Sequence, residues 1–173
     1  VGVLRNIPGL TIISPADSLE TVKALHEAVN SKKPTYIRLT GSSNNPMVYK
    51  KDYDFKIGKS ITVNNGKDIT IFSSGAMVYQ CLEVAKLIEK KNLSCKVVNM
   101  HTIKPIDIEG IDIACEESDL IVSVEEHNII GGLGSAIAEH KAKIKNSPKM
   151  LILGIKDTYS KGGSYNFLKE KHR

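Results

Sequence analysis

The sequence predicts an α/β protein. Its main body is a three-layer αβα sandwich on a mostly parallel sheet of about five strands, preceded by the βαβ tail of a second α/β domain. Three observations lead there. Short apolar, β-branched runs alternate with stretches of helical periodicity, at the spacing that right-handed βαβ crossovers need. The run Leu120-Ile121-Val122-Ser123-Val124 is mostly apolar on both alternating faces, as in a strand covered on each side. A Gly-rich turn, Gly131-Gly132-Leu133-Gly134, then opens a helix whose apolar positions are Leu133, Ile137 and Ile144.

Taken in order, residues 1–10 are a loop or short helix end closed by Pro8-Gly9, and 10–13 a short strand. Two overlapping capping boxes follow, Ser14 with Asp17 and Asp17 with Glu20. Asp17 is the better N-cap, because Leu19, Val22, Leu25 or His26, and Val29 then form a buried stripe. The helix ends before Pro34, and 35–39 is a second strand. Residues 40–58 collect Gly, Ser, Asn and Pro without a period, and 43–57 within them read as a linker, pinned by Tyr49, Tyr53 and Phe55. An edge strand at 60–63 runs into Asn64-Asn65-Gly66, a hairpin signal toward the strand at 68–72. Met77, Cys81, Ala85 and Ile88 share one helix face. The strand at 95–100 is followed by a helix capped by Asp107, then by the apolar strand and Gly-rich turn, a strand at 150–155 and a helix from Tyr165.

Composition narrows the function classes. A chain of 173 residues holds one full domain and part of another, and 41% hydrophobic with 25% charged residues is ordinary for a globular protein. No apolar run approaches the roughly 18–20 residues that cross a bilayer, and no charged-then-apolar leader is present. The start at Val1, without methionine, suggests a fragment or processed product. Cys81, Cys95 and Cys115 are scattered, with no metal-binding spacing, which suits reduced thiols in the cytoplasm. The net charge of +5 is spread over helix surfaces and the tail residues Lys169, Lys171 and Arg173. With 5% aromatics it lacks the stacking residues of a nucleic-acid interface.

The Gly-rich turn has two readings. Its glycines and the helix N–H groups could hold an anion, or they could let the helix pack closely on the sheet, another domain or another subunit. The GGxG spacing is neither a dinucleotide fingerprint nor a Walker loop. Glu125, Glu126 and His127, at the strand's end, could do acid–base work or satisfy the turn and meet a neighbouring subunit. No GxSxG or HExxH occurs, and the Asn44-Asn45 and Asn64-Asn65 pairs lack the Gly-Asp-Gly of a thiamine diphosphate motif, so no self-sufficient active site is visible.

The segment SVEEHNIIGGLGSAIAE resembles the corresponding turn in the last domain of transketolase and its relatives, deoxyxylulose-phosphate synthase and the beta subunits of 2-oxoacid dehydrogenases. Upstream, LRNIPGLTIISPAD, PTYIRL, SSGAMVYQCLEVAKLIE and CKVVNMHTIKPID agree in order, so the resemblance covers nearly the whole chain. It is nearest to split forms in which the C-terminal half is a separate subunit. The resemblance implies that residues 1–42 are the tail of a pyrimidine-binding domain, 43–57 a linker and 58–173 the C-terminal domain. It implies thiamine diphosphate and magnesium in the complete enzyme, held between the two upstream domains across a dimer interface. No cofactor is then expected on this chain, which lacks the upstream catalytic residues and carries none of its own. The implied partners are a second copy and an N-terminal domain or subunit that carries the diphosphate site; the implied reaction moves a two-carbon ketol unit between small sugars. The alternative is a non-catalytic dimerisation module of a 2-oxoacid dehydrogenase beta-type or deoxyxylulose-phosphate-synthase-type enzyme. In this family an arginine commonly binds the sugar phosphate just past the strand at 35–39. That position is Gly41 here, so either Arg38, inside the strand, substitutes for it or the substrate lacks a phosphate there.

Overall fold

The computed structural model of the chain describes residues 1–40 and 45–172. The elements are α1 (Gly2–Arg5), β1 (Thr11–Ile13), α2 (Ser18–Ser31), β2 (Thr35–Ile37), β3 (Ile61–Asn64), β4 (Ile69–Ser73) and α3 (Met77–Glu89). They continue with β5 (Cys95–Asn99), β6 (Thr102–Lys104), α4 (Ile108–Glu117), β7 (Leu120–Asn128), α5 (Leu133–Lys141), β8 (Lys149–Ile155) and α6 (Tyr165–Lys171).

The larger sheet has five strands in the order β3-β5-β4-β7-β8. Every pairing in it is parallel except that of the edge strand β3, which runs antiparallel to β5. Alternation along the central strands builds the three layers, because successive side chains leave opposite faces. Phe72, Val98 and Ile121 meet Ile111 and Ala114 of α4 and Leu133 and Ile137 of α5. Their neighbours Ile71, Val97 and Val122 meet Cys81 and Ala85 of α3 on the other face.

Asn64-Asn65-Gly66 does not close a hairpin between β3 and β4, since β5 lies between them. The turn instead passes over the start of β5, so closely that a Cβ on Gly66 would lie 2.3 Å from the Cys95 carbonyl carbon. Glycine is there for the close approach of two backbones.

A second, three-stranded sheet has the order β2-β1-β6. β1 pairs parallel with β2 and antiparallel with β6, so residues 102–104 complete the sheet that residues 11–37 begin. Ser14 N–H donates to the His101 carbonyl (2.7 Å) and Gly75 N–H to the Ser14 carbonyl (3.0 Å). Ile13, Ala24 and Phe55 form a small core here. α2 turns a different face inward from the one its periodicity suggests: Glu20 and Ala24 are buried, while Val22, Leu25 and Val29 are 67%, 57% and 70% exposed. A buried, partnered carboxylate has displaced the apolar stripe. Residues 45–57 carry neither helix nor strand, yet Phe55 is buried within that core.

Candidate functional site

β7 continues through the polar residues 125–128, with a shift of its pairing with β8 between Val124 and Asn128. Glu125 turns toward α5, where one carboxylate oxygen accepts the Leu133 N–H (2.7 Å) and the other the Gly134 N–H (2.9 Å). The residue is 6% exposed. A helix N-terminus presents free N–H groups and a positive dipole end; the anion held at this one is the chain's own carboxylate.

The glycines of the turn answer close neighbours. A Cβ on Gly132 would lie 2.0 Å from Glu125 Oε2, and one on Gly134 would meet Ile152 and Ser123 of the sheet at 2.5 and 2.6 Å. Gly131 takes φ +76°, and its Cβ would stand 3.1 Å from the Gly2 Cα. Close packing against the sheet and the N-terminal segment explains the turn, and the two helix N–H groups suited to an outside anion are already bound.

The same end of β7 collects the other candidates. His127 Nδ1–H donates to the Asn128 carbonyl (2.7 Å), and the Gly2 N–H lies 3.5 Å from Nε2. Arg38 Nη2 donates to the Glu126 carbonyl (2.7 Å), and Arg5 donates to the Gly131 carbonyl (3.2 Å) and to Glu139 (2.6 Å). Arg38, Glu125, Glu126, His127, Gly131, Gly132 and Gly134 therefore lie around one junction, where residues 1–40 are bound to the carboxyl end of β7. Gly41 lies outside the described residues.

A second cluster went unread in the sequence. Glu20 is fully buried. Its oxygens accept the Ala16 N–H (2.6 Å), both contacts of the Asn99 amide (2.9 Å each), the Tyr49 hydroxyl (3.1 Å) and the Tyr53 hydroxyl (2.9 Å). Asp17 beside it accepts the N–H groups of Glu20 (2.9 Å), Val48 (2.8 Å) and Tyr49 (3.2 Å). The two tyrosine rings stack with centroids 4.0 Å apart. Burial pushes the Glu20 carboxyl up, against the pull of its donors, and burial with the neighbouring Glu20 pushes both tyrosine hydroxyls well above their usual range. His101, also fully buried, stacks on Phe55 at 4.1 Å and is brought down to about 4 by burial. The signal for this cluster was the Asp17–Glu20 capping box, of which the Asp17 half forms while the Glu20 carboxylate takes the Ala16 N–H rather than that of Asp17, followed by two tyrosines in a region otherwise polar.

These residues do not fit thiamine diphosphate or its magnesium. Among the described residues no group of three or more His, Cys, Asp or Glu could hold a metal ion. The carboxylates of Asp17, Glu20 and Glu125 are engaged by the chain's own donors, and Glu125 sits where a diphosphate would need N–H groups.

Comparison with known proteins gives the family. Residues 58–170 match the profile of the transketolase C-terminal domain. A subunit of the apulose-4-phosphate transketolase from Phocaeicola vulgatus is 36% identical over 158 residues, covering 91% of this chain and 50% of that protein. The 6-deoxy-6-sulfo-D-fructose transketolase subunit of a Clostridium species is 34% identical over 172 residues, covering 99% and 52%. A 1-deoxy-D-xylulose-5-phosphate synthase from Methylacidiphilum infernorum is 31% identical over 173 residues, covering 99% of this chain and 28% of the synthase. A split-gene transketolase, solved as an inactive beta4 tetramer, superposes with a TM-score of 0.91 at 33% identity, over 99% of this chain and 55% of its own. The chain thus spans about half the length of the transketolase subunits it matches. No helix among the described residues is long and apolar enough to cross a membrane. The chain belongs to the transketolase family, of which it carries the C-terminal part.

Proposed function

We propose that this chain is the C-terminal portion of a thiamine-diphosphate-dependent transferase that moves a two-carbon ketol unit between sugars, and that it is inactive by itself. Residues 1–42 are the tail of a pyrimidine-binding domain, 43–57 a linker and 58–173 the C-terminal domain. Thiamine diphosphate and magnesium belong to the upstream part, with an N-terminal domain or subunit supplying the diphosphate site and a second copy completing a cytoplasmic dimer. The observation that supports this most is the match of nearly the whole chain to transketolase subunits and to a split-gene transketolase. Within the chain, Arg5, Arg38 and Lys104 brace the junction of its two parts: Arg38 reaches Glu126, and Lys104 Nζ donates to the Arg5 and Ile7 carbonyls at 2.7 and 2.6 Å. A role of Arg38 in binding substrate is part of the same proposal. The test is ketol transfer by the chain alone with thiamine diphosphate, magnesium, a ketose donor and an aldose acceptor. No turnover is expected; turnover, or saturable binding of the cofactor in calorimetry, overturns the proposal.

A second reading, a non-catalytic dimerisation module of a 2-oxoacid dehydrogenase beta-type or deoxyxylulose-phosphate-synthase-type enzyme, is favoured by the match to the synthase over 99% of the chain. It predicts self-association through the 125–135 turn. Gel filtration of the chain against Ile130→Arg, at an exposed position of that turn, tests it: a dimer lost in the variant supports self-association there, and a monomer in both opposes it.

A further inference from the structure

α4 and α5 lie against each other on the face of the large sheet opposite α3. His140 of α5 and Asp112 of α4 join them at 2.7 Å. Two shallow depressions flank that contact, of about 450 and 260 Å³, with Asp112 in the wall of the larger and His140 in that of the smaller. Ile106 and Ile108 line both, so they form the ridge between them.

The two depressions carry opposite charge. Glu109, Asp112 and Glu116 follow one another at the spacing that puts them on one stripe of α4, and with Asp107 they face Lys59 alone among cations of the described lining. Across the ridge, Arg5, Lys104 and Lys143 stand against Glu139, which Arg5 already pairs at 2.6 Å. Glu116 and Lys143 are exposed and have no hydrogen bond or ion pair among the described residues. The ground between the charges is apolar: Ile108 on the ridge is 51% exposed and Ile113 in the acidic depression 44%.

We propose that this face docks a second copy of the chain. The inference rests on the reading that a second copy completes the assembly, and it names the surface. A two-fold axis along the ridge lays Ile108 against its own equivalent and sets each copy's acidic depression over the other's basic one. An axis across the ridge sets like on like, so the charges select a single arrangement. A basic peptide would match the acidic half and leave Lys143 unused; a second copy matches both halves with one surface.

Sedimentation equilibrium of the 173-residue chain tests it. A dimer with a dissociation constant in the roughly micromolar range is expected, weakening as salt rises. Ile108→Arg should leave a monomer, and Ile130→Arg, on the Gly-rich turn, a dimer. Glu116→Lys and Lys143→Glu should each weaken self-association about tenfold, because the two-fold turns two attractions into repulsions. Mixed in equal amounts, the two charge variants should pair as tightly as the parent, since each supplies the sign the other lacks. All these positions are exposed, so folding is not at stake. A monomeric parent overturns both this face and the reading that a second copy is needed. A parent dimer that survives Ile108→Arg, or is lost in Ile130→Arg alone, overturns this face and leaves that reading standing. A mixture that pairs no more tightly than either charge variant overturns the acidic-on-basic arrangement.

Discussion

Two buried carboxylates hold this molecule together in opposite ways. Glu125 takes its partners from eight and nine residues away, the first N–H groups of the helix that its own strand leads into. Glu20 takes its side-chain partners from 29, 33 and 79 residues away, on an irregular segment and on a strand of the other sheet. The first is a local device, a charge placed on a helix terminus. The second is a long-range one, in which a charge removed from water is repaid by donors drawn from three parts of the chain. The contrast teaches that a buried carboxylate can serve either to start an element or to fasten elements together.

The comparison can be broken most severely at Glu20. Truncation by Glu20→Ala leaves the Asn99 amide, two tyrosine hydroxyls and the Ala16 N–H without their acceptor, and should cost about 3–5 kcal/mol in urea denaturation at neutral pH. A loss below about 1 kcal/mol would mean that these donors find water instead.

The next effect is in pH. Burial depresses the folded-state value of His101 to about 4, while the unfolded side chain titrates near 6.5. Between those values the unfolded state binds the proton, so His101 removes stability as pH falls from about 6.5 to 4, approaching about 3 kcal/mol. The raised Glu20 carboxyl acts with the opposite sign, because there the folded state binds the proton first. Stability profiles of His101→Gln should therefore be flatter on the acid side, and those of Glu20→Gln steeper. Profiles of both variants parallel to the parent would show that neither group controls acid unfolding.

Glu125→Ala should be milder, about 2 kcal/mol, because it frees two N–H groups at one helix end. Hydrogen exchange confined to the first turn of α5 would mark it as local, whereas exchange spreading into β1 and β2 would erase the distinction between the two carboxylates. Smallest is Tyr53→Phe, which removes one of the donors to Glu20 and should cost about 1 kcal/mol by thermal or urea melts.

This contrast also explains what the sequence could show. The α/β alternation, the five-stranded sheet with its antiparallel edge and the strand–turn–helix unit around Gly131 all rest on neighbours in sequence, where period and turn chemistry are visible. The cap at Glu125 was within reach for the same reason, since the carboxylate stands just before the glycines it fills. What escaped depended on distant pairing. The Asn64-Asn65-Gly66 turn has hairpin chemistry, yet β5 inserts between the strands it joins, and nothing near Gly66 announces Cys95. The apolar positions Val22, Leu25 and Val29 have the period of a core face, yet α2 buries Glu20 and Ala24 instead, because Tyr49, Tyr53 and Asn99 arrive to satisfy the carboxylate.

The loan of β6 to the smaller sheet has an evolutionary corollary. A gene broken between codons 57 and 58 would yield one polypeptide with β1 bare along one side and another with β6 unsupported, both ready templates for stray strand addition. Pieces separated in this way are expected to stay folded only by re-forming the pairing between β1 and β6.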